Sequence, residues 1–358
     1  MREAFRWFPD GLPPDMLALD ETALLRALGR PTLVRVPGTG GSAPRAISTL
    51  LHGDESTGLQ AALRVLRRGT RHPFDLFWLI GNVEAALAPP GFGHRYLDGQ
   101  ADMNRIWDLD GPDTAQCAAA HGMLAILREA APESLVDVHN NTGDNPFYAI
   151  VTRDHPATVN LATLMTTTLL RWELKVGTLM EALHDTTATC AIECGLPGRA
   201  PSLAFAVDAL RRYLGDPGLV TDRYVRDADV YGRLRKVTLR EDTRVRFGGE
   251  LTDDLDLVLP VDGDTHNFVP VQGGHVIGLV HPGTQLPVAV HDPSGAEVSD
   301  EHLDVLDGRL VLSRAAVPVM MTRTEAAARK DCLFYLSEPI DSLGSAGPMM
   351  RAARPRAS

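Results

Sequence analysis

The sequence predicts an α/β fold: a mixed or mostly parallel central sheet flanked by helices over residues 1–221, followed by a smaller all-β domain over 222–343. Up to about residue 221, short aliphatic and β-branched runs alternate with stretches of helical apolar spacing, the order expected when helices cover both faces of a sheet. Beyond that point the texture changes to short strand-like pieces separated by Gly, Pro and Asp turns. A chain of 358 residues has room for two such units but hardly for a third.

Apolar residues recur at helical spacing over 15–30, and 32–36 then reads as a strand. The apolar-leaning run 46–51 is a second strand that delivers His52 into a loop; 57–68 follows as a helix closed by Gly69. Residues 74–80 form an aromatic and aliphatic strand, 113–130 a helix with Pro132 just past its end, and 134–138 a strand running into His139. The segments 147–151 and 174–179 are expected as strands on either side of a helix over 156–171. A strand over 187–194 stops at Gly195-Leu196-Pro197-Gly198, and 202–214 is a helix. In the second part the strand candidates are 237–239, 255–259, 275–280 and 286–290, and the Arg- and Pro-rich tail 344–358 is expected to be disordered.

Composition narrows the function classes. Hydrophobic residues at 44% and charged residues at 23% suit a soluble globular protein with a large core. With 35 Lys plus Arg against 46 Asp plus Glu the net charge is -11, which excludes the basic footprint of a nucleic-acid binder. An anionic ligand must therefore be held by local arginines. Residues 1–14 have no apolar stretch like a signal sequence, and 159–170 is too short and threonine-rich to span a bilayer. Cys117, Cys190, Cys194 and Cys332 have no Cys-x-x-Cys spacing and read as reduced core thiols. A cytoplasmic protein without membrane or nucleic-acid partners is expected, with self-association left open.

The candidate chemistry lies at strand ends. His52-Gly53-Asp54-Glu55 places an imidazole and a carboxylate three residues apart, so a first helical turn brings both to one side. His139 supplies a further imidazole from another strand end. Two imidazoles and one carboxylate are the ligand set of a catalytic Zn²⁺ that keeps a fourth position open for water. Along a strand Asp137 and His139 share a face, so the carboxylate can orient the ring. Glu193, set between Ile192 and Cys194, is a carboxylate in apolar company, and a base beside metal-bound water is a reason for one. The loop 95–108 carries Arg95, Asn104 and Arg105, and guanidinium forks suit a carboxylate-bearing substrate.

Other motifs carry less. The Gly-rich stretch 38–42 lacks a following Lys-Ser/Thr and reads as a turn, and no Gly-x-Ser-x-Gly elbow occurs. His121 reads as a helix-packing residue, and His266, His275, His281 and His291 are assigned no metal.

Taken together, His52-Gly53-Asp54-Glu55, Arg95-Tyr96-Leu97-Asp98 with Asp102-Met103-Asn104-Arg105, Asp137-Val138-His139-Asn140 with Thr142, and Ile192-Glu193-Cys194-Gly195 resemble the succinylglutamate desuccinylase/aspartoacylase family. The fold of that family is similar to that of zinc carboxypeptidases. The resemblance covers about 45–200, and the β-rich part containing Val271-Gln272-Gly273-Gly274-His275-Val276-Ile277-Gly278 looks like the family's C-terminal β domain. It implies that His52, Glu55 and His139 ligate one Zn²⁺, that Glu193 is general base and then acid, and that Arg95 polarises the scissile carbonyl. Asn104 and Arg105 would grip a substrate carboxylate. Such enzymes place a further arginine for a second carboxylate on the acyl side shortly before the catalytic glutamate; 178–190 contains none, and His184 is the nearest basic residue. The expected activity is zinc-dependent deacylation of an N-acyl amino acid or similar small carboxylate-bearing amide. Its rivals are a metallocarboxypeptidase acting on a peptide C-terminus and a catalytically silent metabolite-binding homologue.

Overall fold

The computed structural model describes residues 4–108, 114–216, 218 and 227–340. The border expected at 221–222 and the tail 344–358 lie outside the described residues. Through the first part the order is β1 (Arg6–Phe8), α1 (Pro14–Leu17), α2 (Glu21–Leu28), β2 (Thr32–Val36), β3 (Arg45–Thr49), α3 (Ser56–Leu66), β4 (Leu76–Ile80), α4 (Val83–Leu87), α5 (Ala115–Ala130), β5 (Ser134–His139), β6 (Tyr148–Val151), α6 (Pro156–Thr163), β7 (Thr168–Arg171), α7 (Leu179–Leu183), β8 (Ala188–Glu193) and α8 (Ala200–Gly215). Then follow β9 (Asp229–Leu239), β10 (Val245–Phe247), β11 (Leu257–Leu259), β12 (Val276–Val280), β13 (Val288–His291), α9 (Ser299–His302), β14 (Leu303–Leu306), β15 (Arg309–Leu312), β16 (Val317–Val319), α10 (Glu325–Lys330) and β17 (Phe334–Pro339).

A mixed twelve-stranded sheet runs in the order β1-β2-β4-β3-β5-β8-β6-β7-β9-β17-β16, with β13 also paired to β9. Its centre is parallel from β4 through β3 and β5 to β8, and β6 then pairs β8 antiparallel. Neighbouring residues of one strand enter different cores. Ile47 joins Leu59, Val136 and Leu210 under α3 and α8, while Ala46 joins Leu124, Leu127 and Leu135 under α5. Every residue of β3, β4 and β5 is buried, so none shows the alternation of a half-exposed strand, and β4 is apolar throughout. Strands β10, β11, β12, β15 and β14 form a separate five-stranded sheet. Among the described residues no helix is long and apolar enough to cross a membrane.

Three expected elements differ. The helix over 15–30 is two helices, because Asp20 accepts a 2.8 Å hydrogen bond from the Ala23 N–H and starts α2 afresh. The helix over 156–171 ends at Thr163, and Thr168–Arg171 is β7, where Leu169 and Leu170 are buried on opposite faces between β6 and β9. The strand over 174–179 is absent. Thr178 and Glu181 form a reciprocal capping box that opens α7 instead, satisfying backbone donors that a strand edge would have left to a neighbour.

Candidate metal and acid–base site

Strand β3 ends at Thr49, and Leu50 turns the chain with φ at 61°, a left-handed conformation that L residues adopt only under tertiary constraint. Leu50 is fully buried, and its carbonyl accepts from the Asn82 N–H at 2.6 Å. His52 emerges from that turn, and Glu55 lies immediately before α3. The neighbouring strand β5 ends on His139, and β8 ends on Glu193, directly opposite His139 in the parallel register. Three strand ends thus converge at one edge of the sheet, where open α/β sheets place ligands.

The two imidazoles share one carboxylate. His52 Nδ1 lies 2.7 Å from Glu55 Oε1, and His139 Nδ1 lies 2.7 Å from Glu55 Oε2. The outer nitrogens are held by acids: His52 Nε2 is 3.1 Å from Asp102 Oδ1, and His139 Nε2 is 2.8 Å from Asp137 Oδ2. The Asn140 backbone N–H also donates to Glu55 Oε2, at 3.1 Å. When each Nε2–H donates to its acid, each Nδ1 presents a lone pair toward a carboxylate oxygen. Such an arrangement repels unless positive charge sits there, either as a proton on each ring or as one metal ion.

The shifts follow that logic. Burial and Arg95 pull the His52 imidazole down, but Glu55 and Asp102 outweigh them and hold its pKa above the usual value. Burial also opposes the His139 imidazolium, yet Asp137 and Glu55 raise it well above normal. Burial pushes Glu55 up, and the two imidazoles pull it well below the carboxylate range. Ligand atoms from His52, Glu55 and His139 lie within 4.8 Å of one another, and among the described residues this is the His, Cys, Asp and Glu group that could hold an ion. Two nitrogens, a carboxylate and carboxylates behind the rings match the donor chemistry of a divalent metal.

Glu193 lies in the same cavity but is set up differently. Burial drives its carboxyl up to about 7, with His139 pulling down and Glu55 pushing up. The Asn141 side chain donates to Glu193 Oε2 at 2.9 Å and to the Tyr148 hydroxyl at 3.1 Å, fixing the orientation of the carboxylate. A carboxyl group near neutrality, beside a place for a cation, can both take and return a proton.

The arginines border this cavity of about 420 Å³, which is lined by His52, Glu55, Arg95, Asn104, Arg105, His139 and Glu193 together. Arg95 donates through Nε to Asp102 Oδ2 at 3.1 Å, so Asp102 bridges the guanidinium to the His52 ring. Burial raises Asp102, but His52 and Arg95 hold it far below the ordinary range. Asn104 is buried, with Nδ2 3.5 Å from His139 Nε2. Arg105 reaches across to Asp331, just beyond α10, with Nη2 3.4 Å from Oδ2. His184 bonds to the Thr152 hydroxyl and does not line the cavity. His121 bonds to the Asp108 carbonyl, and all four cysteines are free and buried, Cys332 in the cavity wall.

Sequence reasoning missed three participants. Asp102 and Asn141 each had a signal, as polar residues beside a candidate ligand or clamp in the chain. Asp331 had none, because 226 residues separate it from Arg105.

No family profile and no curated protein matches the sequence. Solved structures do resemble it. Succinylglutamate desuccinylase from Vibrio parahaemolyticus aligns with TM-score 0.56 at 16% identity, covering 89% of this chain and 89% of that one. A succinylglutamate desuccinylase/aspartoacylase from Rhodobacter sphaeroides aligns with TM-score 0.54 at 17% identity, covering 86% and 87%. The product-bound ectoine utilization protein EutE of Ruegeria pomeroyi aligns with TM-score 0.54 at 16% identity, covering 85% and 88%. The chain therefore has the desuccinylase/aspartoacylase fold over most of its length.

Proposed function

We propose that the protein is a zinc-dependent amidohydrolase that deacylates an N-acyl amino acid or a similar small carboxylate-bearing amide. The observation that carries this reading is the meeting of His52 Nδ1 and His139 Nδ1 on the two oxygens of Glu55, with a separate, near-neutral carboxyl, Glu193, in the same cavity. Similarity of fold to desuccinylases and aspartoacylases supports it.

In this reading His52, Glu55 and His139 hold the ion. A Zn²⁺ held there would supply Lewis acidity, acidifying water toward neutral pH and polarising a carbonyl oxygen. Glu193 takes the proton from the attacking water as the new C–O bond forms, and passes it to the amide nitrogen as the C–N bond breaks, leaving a carboxylic acid and an amine. Asn141 keeps the Glu193 carboxylate aimed at that path. Arg95, locked by Asp102, donates to the carbonyl oxygen as negative charge develops on it. Asn104 and Arg105 bind the substrate carboxylate, Arg105 by exchanging part of its contact with Asp331. Free buried thiols at all four cysteines suit a reducing, cytoplasmic setting.

The test is metal analysis of the purified protein and of His139→Ala, together with a panel of N-acyl amino acids and short peptides. Near-stoichiometric zinc, lost in the variant, with turnover of N-acyl amino acids is expected. A variant holding as much zinc as the parent, or hydrolysis confined to peptides, would overturn the reading.

A further inference from the structure

Beyond the metal ligands, the floor of the cavity is apolar and is built by the sheet itself. In the strand registers Glu193 of β8 faces Tyr148 of β6, and Ala191 faces Ile150, which in turn faces Leu170 of β7. Paired residues share a face, so Glu193, Ala191, Ile150 and Leu170 lie on one surface, and Trp172 continues it two residues past Leu170. Met180 from α7, Met320 and Cys332 close the same wall. Ile150, Trp172, Met180, Ala191 and Cys332 are each at least nine-tenths buried, and all pack in a single hydrophobic cluster that Met320 flanks.

This floor offers an anionic ligand no cation, and its unpaired donor is the buried Trp172 indole N–H. Strands β6 and β8 contain no basic residue, and Arg171 of β7 registers with Val151 on the opposite face, where it pairs with Glu173 at 3.6 Å. The permanent cations lining the cavity, Arg95, Arg105 and Lys330, come from the 93–105 loop and α10. On this face the acids are Glu193 and, buried behind the His139 ring, Asp137, and the positive charge is confined to the His139 end, in register with Glu193.

We infer that the apolar floor formed by Ala191, Ile150, Trp172 and Met180 is a specificity subsite for an alkyl or aryl group flanking the scissile amide. A second carboxylate placed there would be stripped of water beside like charges, whereas each buried methylene improves binding about fourfold. The inference rests on the deacylase reading for its amide, and concerns what that amide carries.

The experiment compares apolar and carboxylate-bearing compounds of equal chain length. Glu193→Gln protein loaded with Zn²⁺ is titrated calorimetrically with the N-pentanoyl and N-succinyl derivatives of one amino acid, then with N-acetyl-norleucine and N-acetyl-glutamate. Hydrolysis of the same compounds by the unmodified protein is followed in parallel. The apolar member should bind about 100-fold better in one pair, which identifies the side of the amide that meets the floor. Ile150→Ala should move the preferred chain toward longer homologues; Met180→Ala serves the same purpose if the first variant does not fold. Equal or better binding of the dicarboxylate in both pairs, or no binding of any member at millimolar concentration, overturns the subsite. Apolar preference without any hydrolysis retains it and removes the deacylase reading, and hydrolysis with dicarboxylate preference does the reverse.

Discussion

Asp331 Oδ2 lies 3.4 Å from Arg105 Nη2, joining a loop of the first part of the chain to the segment after α10. The same carboxylate reaches Arg95 Nη2 at 3.7 Å, and its other oxygen accepts from Lys236 Nζ at 3.1 Å. Burial favours the neutral acid, but Arg105, Arg95 and Lys236 together keep it ionised below the usual range. An internal carboxylate therefore competes for the guanidinium assigned to the substrate. Asp331→Asn should lower KM for a carboxylate-bearing substrate about threefold to tenfold with little change in kcat. The variant should lose about 1 kcal/mol of stability, since Asp331 and Arg105 are about a quarter exposed. Steady-state kinetics decide it; an unchanged or higher KM would mean that Arg105 does not hold the carboxylate.

Asp137 sits behind His139 at 2.8 Å and is buried. Removing such a partner releases the ring and lowers its basicity, which typically weakens metal binding 10–100-fold. Asp137→Ala should show that loss in competition with a chromophoric chelator. Chelating the parent should lower its melting temperature by about 5–10 °C, the size expected when a ligand well above its dissociation constant is withdrawn from the folded state of a chain this long. A melting temperature indifferent to chelator would argue against a bound ion.

Glu193→Gln should reduce kcat by about 10²–10⁴ while zinc content is retained. Its effect on stability has a definite sign. The folded carboxyl is raised to about 7 from 4.5, so the folded state holds the proton more tightly than the unfolded chain. Below about pH 4.5 both states are protonated and nothing is gained or lost. Between 4.5 and 7 the unfolded chain releases its proton first, and stability falls; above 7 the loss is complete. In chelated protein Glu193→Gln should therefore stabilise by up to about 3 kcal/mol above pH 7 and by almost nothing below pH 4.5. Denaturant melts at pH 4 and pH 8 measure this, and equal effects at both would contradict the buried carboxylate.

Gly53 stands between His52 and Asp54 with no room for a side chain. A Cβ there would lie 2.6 Å from the Ala86 backbone nitrogen and 2.7 Å from both the carbonyl carbon and the Cβ of Ala85. Gly53→Ala should cost about 1–3 kcal/mol and displace His52, lowering zinc affinity as well as the melting temperature. Retained affinity in a destabilised variant would mean that the turn yields away from the histidine.

Much of the site was legible because its parts are local. His52 and Glu55 are three residues apart at a strand exit, Asp137 and His139 are two apart on a strand, and Glu193 follows the apolar run Cys190-Ala191-Ile192. Where local signals competed, reading was less secure. Thr178-Leu179-Met180-Glu181 carries a capping box that outweighs its apolar content, and Thr168 begins β7 inside what apolar spacing alone reads as helix. The strand at 237–239 is the visible end of an eleven-residue β9, whose earlier part holds Gly232 and Arg233 and so lacks an apolar pattern.

Amino-acid order alone determined which side chains could do chemistry, where most strands and helices begin, and that three potential ligands sit at strand ends. Sheet order was decided only in three dimensions: β8 lies between β5 and β6, which sets Glu193 opposite His139 and gives the cavity its apolar floor. The bridges from Asp102 to His52 and from Asp331 to Arg105 were also decided there. Hydrophobic period records which face of an element is buried, but not which neighbour it is buried against. That choice follows from packing of the whole chain, so contacts spanning 50 or 226 residues leave no local trace.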